Sequence, residues 1–476
     1  MSDTPDRSGL FGHPRGLSTL FFTELWERFS YYGMRAILML YMVTPQASGG
    51  LGFDTARAAG IYGLYTGSVY FTAIPGGWIA DRLLGLRRAV LAGGVLIALG
   101  HYCLFGAASS LPLFYAGLLL IICGTGLLKS NVSSIVGELY AQGDPRRDAG
   151  FSIFYMGINL GALVSPIICG YLAQKVGWHW GFGAAAFGMT LGLVQFVAGA
   201  NRLGDAGRLR EPPKDAGALW TRIIVVTAAV SLLLWSVWPW RDLVVLTGTV
   251  ALFAWLVKTG GRTPEETKRI GAIIVLFVFA TLFWIGFEQA GSSLTLFAEK
   301  HTDNVVLGFD FPSSWYQSVE PIFVVSFAPV FAWLWLTLGK REPSSPAKFA
   351  WALLSLGIGF LLVAFAASRF AATGVKVSPW WLIGLYFFHA MGELALSPVG
   401  LSTVTKLAPG RIVGLMMGVW FLALSLGNFL GGHVAGFFDR LPLPQLFGSV
   451  FLATAGSALL LALLTKPIKN LMSGVR

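Results

Sequence analysis

Charged side chains are scarce in this chain, and their scarcity excludes most soluble folds. Only 12% of the 476 residues are Asp, Glu, Lys or Arg, whereas 55% are apolar. An ordinary soluble domain carries about 25% charged residues. Apolar stretches of about 20 residues recur along the chain, and each is long enough to cross the roughly 30 Å hydrocarbon core of a bilayer as a helix. The composition therefore indicates an integral membrane protein.

Cysteines and catalytic motifs are also few or missing. The three cysteines, Cys103, Cys123 and Cys169, lie in apolar segments without CxxC spacing, and we interpret them as small core residues. The sequence contains no HExxH, GxSxG or paired Asp motif, which argues against an enzyme embedded in the membrane. It suggests neither a metal site nor an organic cofactor.

The alternating ten-residue pattern of an outer-membrane barrel is missing as well, so helices must be the spanning elements. No short apolar core with a cleavage site precedes the first span, which we expect to be retained. We predict an all-α membrane fold with fourteen transmembrane helices. The predicted spans are 16–43, 57–80, 88–108, 112–138, 148–173, 177–199, 219–239, 242–258, 270–297, 314–338, 348–370, 379–405, 411–435 and 444–465.

The net charge of +11 is explained by the distribution of basic residues between the loops. Of the 34 Lys and Arg residues, 24 fall on the side of the membrane that holds the N-terminus, seven on the opposite side and three inside spans. Because loops rich in Lys and Arg stay in the cytoplasm, we predict that both termini are cytoplasmic. No nucleic-acid partner is needed to explain the basic charge.

Two charge-rich connections divide the predicted helices into groups. Residues 201–214 and 258–269 bracket the seventh and eighth spans, which contain no charge at membrane depth. We predict a six-helix bundle at 1–200, a linker with an inserted helix pair at 201–269 and a second six-helix bundle at 270–476. Two such bundles resemble the major facilitator architecture. The basic turn at 77–88 resembles the loop motif of that superfamily, although a basic loop that only follows the topology is the alternative.

Eight ionisable side chains lie at membrane depth in the predicted spans. Each costs roughly 2.5–3.5 kcal/mol to insert, so each is a candidate for function. On the first span, Tyr31 and the charged positions 24, 27, 28 and 35 fall within about 100° of arc and form one polar stripe. The eight residues are Glu24, Glu27, Arg28, Arg35, Lys129, Glu288, Glu320 and Glu393.

A polar stripe of this kind lines either a packed interface or a watery cavity. The alternative to function is an ion-pair network that only fixes helix packing. In a cavity, Arg28 and Lys129 from the first half and Glu393 from the second would make one wall positive and the other negative, which suits a zwitterion. The aromatic residues that could contact varied apolar groups, or could simply pack, are Tyr31, Tyr32, Tyr70, Trp284 and Trp420.

A series of motifs resembles those of the proton-dependent oligopeptide transporters, in their bacterial form. The first is an ExxER signature made by Glu24, Glu27 and Arg28, and Tyr32 and Arg35 follow it. ExxER alone is a weak pattern, but the motifs occur in order over nearly the whole chain. The others lie at 124–131, 151–161, 283–289, 315–318, 392–400 and 417–422.

The resemblance implies a role for each of these motifs. Glu24, Glu27, Arg28, Arg35 and Glu288 would serve proton coupling. The pairs Arg35 with Glu288, and Lys129 with Glu393, would be salt bridges that open and close as gates. Arg28 and Lys129 would receive the peptide carboxylate, and Asn159 with Glu393 its amine. The residues predicted to bind substrate are Arg28, Tyr32, Tyr70, Lys129, Asn159, Trp284, Glu320, Glu393, Ser397 and Trp420.

The function implied by the resemblance is a proton-coupled symporter that imports di- and tripeptides by alternating access, with protons as the coupling ion and no other cofactor. It would be a multi-pass protein of the bacterial inner membrane, and we expect a monomer. The alternative is a transporter of the same fold for another small solute, such as nitrate or an amino-acid conjugate. Lys129, Asn159 and Glu393 favour peptides.

Two sites depart from the family pattern, and a third differs from the animal relatives. Glu320 stands where the family usually has asparagine, and it would either strengthen a preference for cationic groups or hold a second proton. Ala423 and Leu424 replace more polar residues, so substrate contacts from that helix are in doubt. Gly63 occupies the place of a histidine in animal relatives, so no histidine is available there for proton coupling.

Overall fold

The computed structural model describes residues 8–107, 110–141, 144–209 and 240–474, together with the isolated positions 215, 217–219, 221 and 225. This part of the chain is almost entirely helical, and strands β1 (Val305–Val306) and β2 (Phe309–Asp310) form a short antiparallel hairpin. The α-helices are α1 (Arg15–Val43), α2 (Thr55–Phe71), α3 (Ala73–Ile79), α4 (Leu86–Gly106), α5 (Leu111–Glu138), α6 (Arg147–Tyr171), α7 (Trp178–Gly199), α8 (Arg241–Gly260), α9 (Pro264–Phe287), α10 (Ser293–His301), α11 (Val319–Leu338), α12 (Ser345–Thr373), α13 (Trp380–Leu407), α14 (Val413–Ala435) and α15 (Leu443–Leu471).

The predicted all-α membrane class is confirmed. Within the described ranges, 11 helical segments are long and apolar enough to cross a membrane. Two further predicted spans correspond to α1, which carries the charged stripe, and to the consecutive helices α2 and α3. The predicted seventh span, 219–239, lies almost entirely outside the described residues.

Helix α1 lies in the middle of the fold. It packs mainly against α6 and α7 and also contacts α2, α5 and α10. Nearly every residue from Glu27 to Met42 is buried, whichever way its side chain points. Because a helix that is buried on all sides belongs to the core of a large protein, the charged stripe of α1 is enclosed by protein and not by lipid.

Two of the predicted continuous helices are broken in the structure. The second span divides at Thr72, and the ninth ends as an α-helix at Phe287 and continues through a 3-10 turn from Glu288 to Gly291 before α10 begins. Irregular backbone is tolerated at membrane depth only where protein groups satisfy its polar atoms. Gln289 supplies such a group, since its side-chain amide donates to the carbonyls of Ile285 at 3.0 Å and Gly431 at 2.9 Å. Glu288 therefore lies at a structured helix break.

Gly76 allows close backbone contact between α3 and α5. A Cβ atom added at Gly76 would lie 1.9 Å from the carbonyl oxygen of Gly126, whereas one added at Gly77 would meet only the Ser130 hydroxyl at 3.5 Å. We expect Gly76→Ala to lower the apparent Tm in detergent, since overpacking of this kind costs about 1–3 kcal/mol. Gly77→Ala is the matched control and should unfold close to the wild-type temperature. An equal fall in both variants would contradict this assignment of the contact.

Candidate functional site

A cavity of about 700 Å³ lies between the helices that precede residue 200 and those that follow residue 264. Its volume is typical of a site for a small molecule, about 300–1,000 Å³. Glu27 is the one predicted site residue that does not line it. Those that do are Glu24, Arg28, Tyr32, Arg35, Tyr70, Lys129, Asn159, Trp284, Glu288, Glu320, Glu393, Ser397 and Trp420.

The ExxER signature forms a buried ion-pair cluster on α1. The Arg28 Nε atom lies 3.2 Å from Glu24 Oε1 and also donates to Glu27. The Arg28 Nη2 atom is buried and has no hydrogen-bond partner among the described residues. An unpaired guanidinium nitrogen at a cavity wall is suited to an anionic ligand group, because guanidinium binds carboxylate through charge-assisted hydrogen bonds.

Arg35 connects the two sides of the cavity near the other end of the stripe. Its Nη2 atom lies 2.6 Å from Glu288 Oε2, and its Nε atom donates to the Tyr62 hydroxyl at 2.7 Å. Arg35 and Glu288 are only 6% and 5% exposed. The predicted ion pair between these two residues is therefore present, and it joins α1 to the helix break that follows α9.

Lys129 and Asn159 lie on α5 and α6, on the wall formed by the first half of the chain. The Lys129 ammonium lies 3.7 Å from the centroid of the Tyr70 ring, where a cation–π contact stabilises its charge. The Asn159 amide nitrogen donates to the Tyr155 carbonyl at 3.0 Å. The side-chain oxygen of Asn159 can still accept a hydrogen bond from another group. Lys129 and Asn159 thus add a cation and an amide acceptor to the wall that also carries Arg28.

Glu320 and Glu393 form the opposite wall. Glu320 lies in the first turn of α11 and Glu393 in the middle of α13, and these helices pack together. Both residues line the cavity, and each carboxyl group interacts electrostatically with the other. Two carboxylates have only acceptor atoms, so they can share a hydrogen bond only when one of them holds a proton.

The predicted ion pair between Lys129 and Glu393 is not formed in this conformation. Lys129 packs on Tyr70, and Glu393 lies with Glu320 on the other wall of the cavity. The physical reason is that the two residues stand on opposite walls of an open cavity. A role as a gate stays a prediction for a conformation in which these walls close.

Sequence reasoning missed several cavity residues that lie close in the chain to predicted ones. Tyr155 lies one turn before Asn159, Tyr386 two turns before Glu393, and Gln317 just before Glu320. Gln317 donates to the Thr295 hydroxyl at 2.9 Å. Helical spacing from the predicted residues was the signal that could have found Tyr155 and Tyr386, since positions one or two turns apart share a face of a helix. Gln317 lies in the 3-10 turn Ser313–Ser318, before α11 begins, so this spacing does not apply to it.

One end of the cavity, here called the closed end, is sealed by contacts between the two halves of the chain. Besides the pair of Arg35 and Glu288, the Trp315 indole donates to the Ile167 carbonyl at 3.0 Å. Side-chain contacts around the closed end are Lys175 with Asp310 at 2.5 Å, Gln174 with Glu299 at 3.0 Å, and Thr55 with Asp439. These contacts hold the two halves of the chain together at this end of the cavity.

The other end of the cavity opens to the surroundings. Asp81, after α3, and Gly414, at the start of α14, both line the cavity and lie near its mouth. The structure is therefore a conformation in which the site is accessible from this open end and sealed at the closed end. Such a one-sided site at mid-depth is the arrangement required for alternating access.

Comparisons with known proteins agree with this geometry. The sequence profile of the POT family matches residues 87–448. The chain is 45% identical to the transporter YclF of Bacillus subtilis, with 98% of this chain and 97% of YclF covered, and 40% identical to the peptide transporter YePEPT of Yersinia enterocolitica, with 100% and 98% covered. A crystal structure of a peptide transporter POT in complex with sulfate is 42% identical, covers 98% of both chains and superimposes with a TM-score of 0.91. This chain is a member of the POT family, the proton-dependent oligopeptide transporters of the major facilitator fold.

Proposed function

We propose that this chain imports di- and tripeptides together with protons, by opening its cavity to one side of the membrane at a time. The observation that supports this most is the opposite charge of the two cavity walls, with Arg28 and Lys129 on one and Glu320 and Glu393 on the other. A short peptide is a zwitterion whose amine and carboxylate are held apart by its backbone. The relatives named as peptide transporters support the same substrate class.

In the proposed binding mode, the peptide lies between the two walls. Its carboxylate contacts the unpaired nitrogen of Arg28 and the ammonium of Lys129, while its amine contacts Asn159 and Glu393. Two groups remain for the peptide backbone, because the Trp284 indole nitrogen and the Ser397 hydroxyl line the cavity and have no partner in the described chain. Tyr32, Tyr70 and Trp420 supply apolar contacts that tolerate varied side chains.

Proton coupling acts through the closed end. A proton on Glu288 removes the negative charge that holds Arg35, so the seal between the two halves weakens and the closed end can open. Glu24 and Glu27 both pair with Arg28. A proton on either carboxylate weakens its pair with Arg28 and frees guanidinium nitrogens for the peptide carboxylate, which links a second protonation to substrate binding. Protonation therefore biases which end of the cavity is open, and a proton gradient gives this bias a direction.

The proposed mechanism assigns the closed end to the outside of a bacterial inner membrane and the open end to the cytoplasm, together with both termini. The moving units are the predicted bundles 1–200 and 270–476, joined by 201–269. The contacts at the closed end all run between these two units. One chain contains both cavity walls, so a monomer is sufficient for transport.

The charge of the cavity argues against nitrate as the substrate. Nitrate has no cation for Glu320 and Glu393, which would leave two carboxyl groups facing an anion. An amino-acid conjugate with a free amine and a carboxylate fits the same walls, and it is separated from peptides by competition.

Uptake into proteoliposomes tests the proposed function. Labelled dialanine is supplied outside vesicles with an imposed inside-negative potential and an acid exterior, and unlabelled tripeptides, free alanine and nitrate are added as competitors. We expect accumulation that collapses with a protonophore and that only short peptides block. Accumulation that resists the protonophore, or a competition pattern in which nitrate blocks and tripeptides do not, would overturn the proposal.

A further inference from the structure

The cavity contains two carboxyl groups that no cation of the described chain neutralises. Arg28 pairs with Glu24 and Glu27, and Arg35 pairs with Glu288. Lys129 rests on an aromatic ring. Neither Glu320 nor Glu393 forms an ion pair with any residue that the structure describes, although both line the same wall of the cavity on two helices that pack together. Two neighbouring like charges are strongly disfavoured, so this wall is suited to a positive charge from a ligand or a proton.

The number of positive charges that the pair accepts depends on the substrate. A neutral peptide such as dialanine brings one amine, which neutralises one carboxylate and leaves the other to keep a proton. A peptide with a basic side chain on its first residue brings a second cation to the same wall. Both carboxylates are then paired by the substrate, and the proton between them is no longer required.

Other groups around the pair do not remove this need for a second cation. Arg35 is the charged base that faces Glu320, but it is already paired with Glu288. The remaining titratable neighbours are neutral or acidic: Tyr32, Tyr155, Tyr386 and Glu288. Trp284 and His389, which lies one turn before Glu393, also line this cavity, are more than nine-tenths buried and have ring nitrogens without a hydrogen-bond partner in the described chain.

Resting on the proposed function, we propose that Glu320 and Glu393 form a site for two positive charges, which makes the transporter selective for peptides whose first residue carries a basic side chain. With a neutral peptide, the second charge is a proton. With a lysyl, ornithyl or arginyl peptide, it is the ammonium or guanidinium of the substrate. Glu320 is then the residue that determines this specificity.

The first test compares labelled Lys-Ala with labelled Ala-Ala in proteoliposomes, using wild type and Glu320→Gln. Gln keeps the shape of Glu but cannot pair with a second cation. A charge-assisted hydrogen bond of about 1.5–3 kcal/mol is lost only for the basic peptide, so we expect the ratio of kcat/KM for Lys-Ala over Ala-Ala to fall roughly 10- to 100-fold. Glu265→Gln, an exposed carboxylate at the start of α9, is the matched control and should leave the ratio unchanged.

A series of side-chain lengths makes the same test independent of folding. In wild type, peptides that begin with lysine, ornithine or 2,3-diaminopropionate present the second amine at decreasing distance from the first. The ratio of kcat/KM for each peptide to that for Ala-Ala should change along this series in wild type and stay constant in Glu320→Gln. A series that stays flat in wild type would overturn the inference, because a second cation would then make no contact of defined length.

Proton counting gives the second readout. Because the basic side chain replaces one proton, the number of protons moved per peptide should be lower by one for Lys-Ala than for Ala-Ala, while the total charge moved is equal. An unchanged Lys-Ala to Ala-Ala ratio in Glu320→Gln, with equal proton counts, would refute the inference and leave the proposed function intact. Failure of wild type to accumulate any peptide would instead refute the proposed function.

Discussion

Replacing Glu288 with Gln should abolish proton-driven accumulation of peptide while peptide exchange across the membrane continues. The Glu288 carboxylate lies 2.6 Å from Arg35 at the closed end of the cavity, and Gln reproduces the shape of its protonated form without the ability to release the proton. One charge moved through 100 mV supplies about 2.3 kcal/mol, which corresponds to roughly 50-fold accumulation at 1.4 kcal/mol per factor of ten. We expect this ratio to fall to about one.

Two assays on the same vesicles separate this role from general damage. Accumulation is measured under an imposed gradient, and counterflow is measured with labelled and unlabelled dialanine and no gradient. Glu288→Gln should lose the first and keep the second. Glu265→Gln removes an exposed carboxylate from the start of α9, the helix that ends just before Glu288, and should keep both. If Glu288→Gln still accumulates dialanine to the wild-type ratio, another carboxylate carries the coupling proton.

The sequence predicted the charged residues of the site well because each charge at membrane depth is expensive. That cost restricts ionisable residues in apolar spans to positions enclosed by protein, and residues on one helix keep a fixed angular relation. The stripe of Glu24, Arg28 and Arg35 could therefore be assigned to one face of α1 from helical periodicity alone. The pairing of Arg35 with Glu288 also agrees with the gate implied by the family resemblance.

The partners of charges on different helices could not be predicted in the same way. Lys129 and Glu393 have the charges of an ion pair, yet the structure gives Lys129 an aromatic partner and Glu393 a second carboxyl. Which residues meet across a cavity depends on whether its walls are closed, and composition does not specify the conformation. The break at Glu288 was missed for a related reason: the Gln289 amide donates to the Ile285 carbonyl before the break and to the Gly431 carbonyl on α14, and the second contact is a tertiary interaction.

The glycine contacts could not be predicted from the sequence either, because nothing in an apolar span shows whether a glycine faces lipid or another helix. Gly63 was noted only for the absence of histidine. In the structure α2 and α14 meet backbone to backbone, and the Ser425 hydroxyl donates to the Gly67 carbonyl at 2.8 Å. Small residues allow helices to approach this closely in membranes. This line of contact joins the first half of the chain to the second beside the closed end.

Replacing Gly63 with Val should trap the transporter away from the conformation described here and lower peptide uptake. A Cβ atom at Gly63 would lie 2.8 Å from Gly432 Cα and 2.9 Å from the Asn428 carbonyl oxygen. Backbone atoms of a helix cannot rotate away as a side chain can, so α2 and α14 must move apart. The contacts between the two halves at the closed end are then lost. Overpacking costs about 1–3 kcal/mol, which lowers the population of the sealed state and the uptake rate roughly 5- to 150-fold.

A neighbouring glycine provides the control for this substitution. Gly60 lies on the same helix, and a Cβ atom there would meet nothing within 4 Å, so Gly60→Val introduces the same β-branched residue without the contact. Gly63→Val should lose both driven uptake and counterflow, yet dialanine should still raise its Tm in detergent, because the cavity residues are unchanged. Equal losses in the two variants would mean that β-branching in α2 is responsible, and normal uptake by Gly63→Val would mean that transport does not require α2 and α14 to meet.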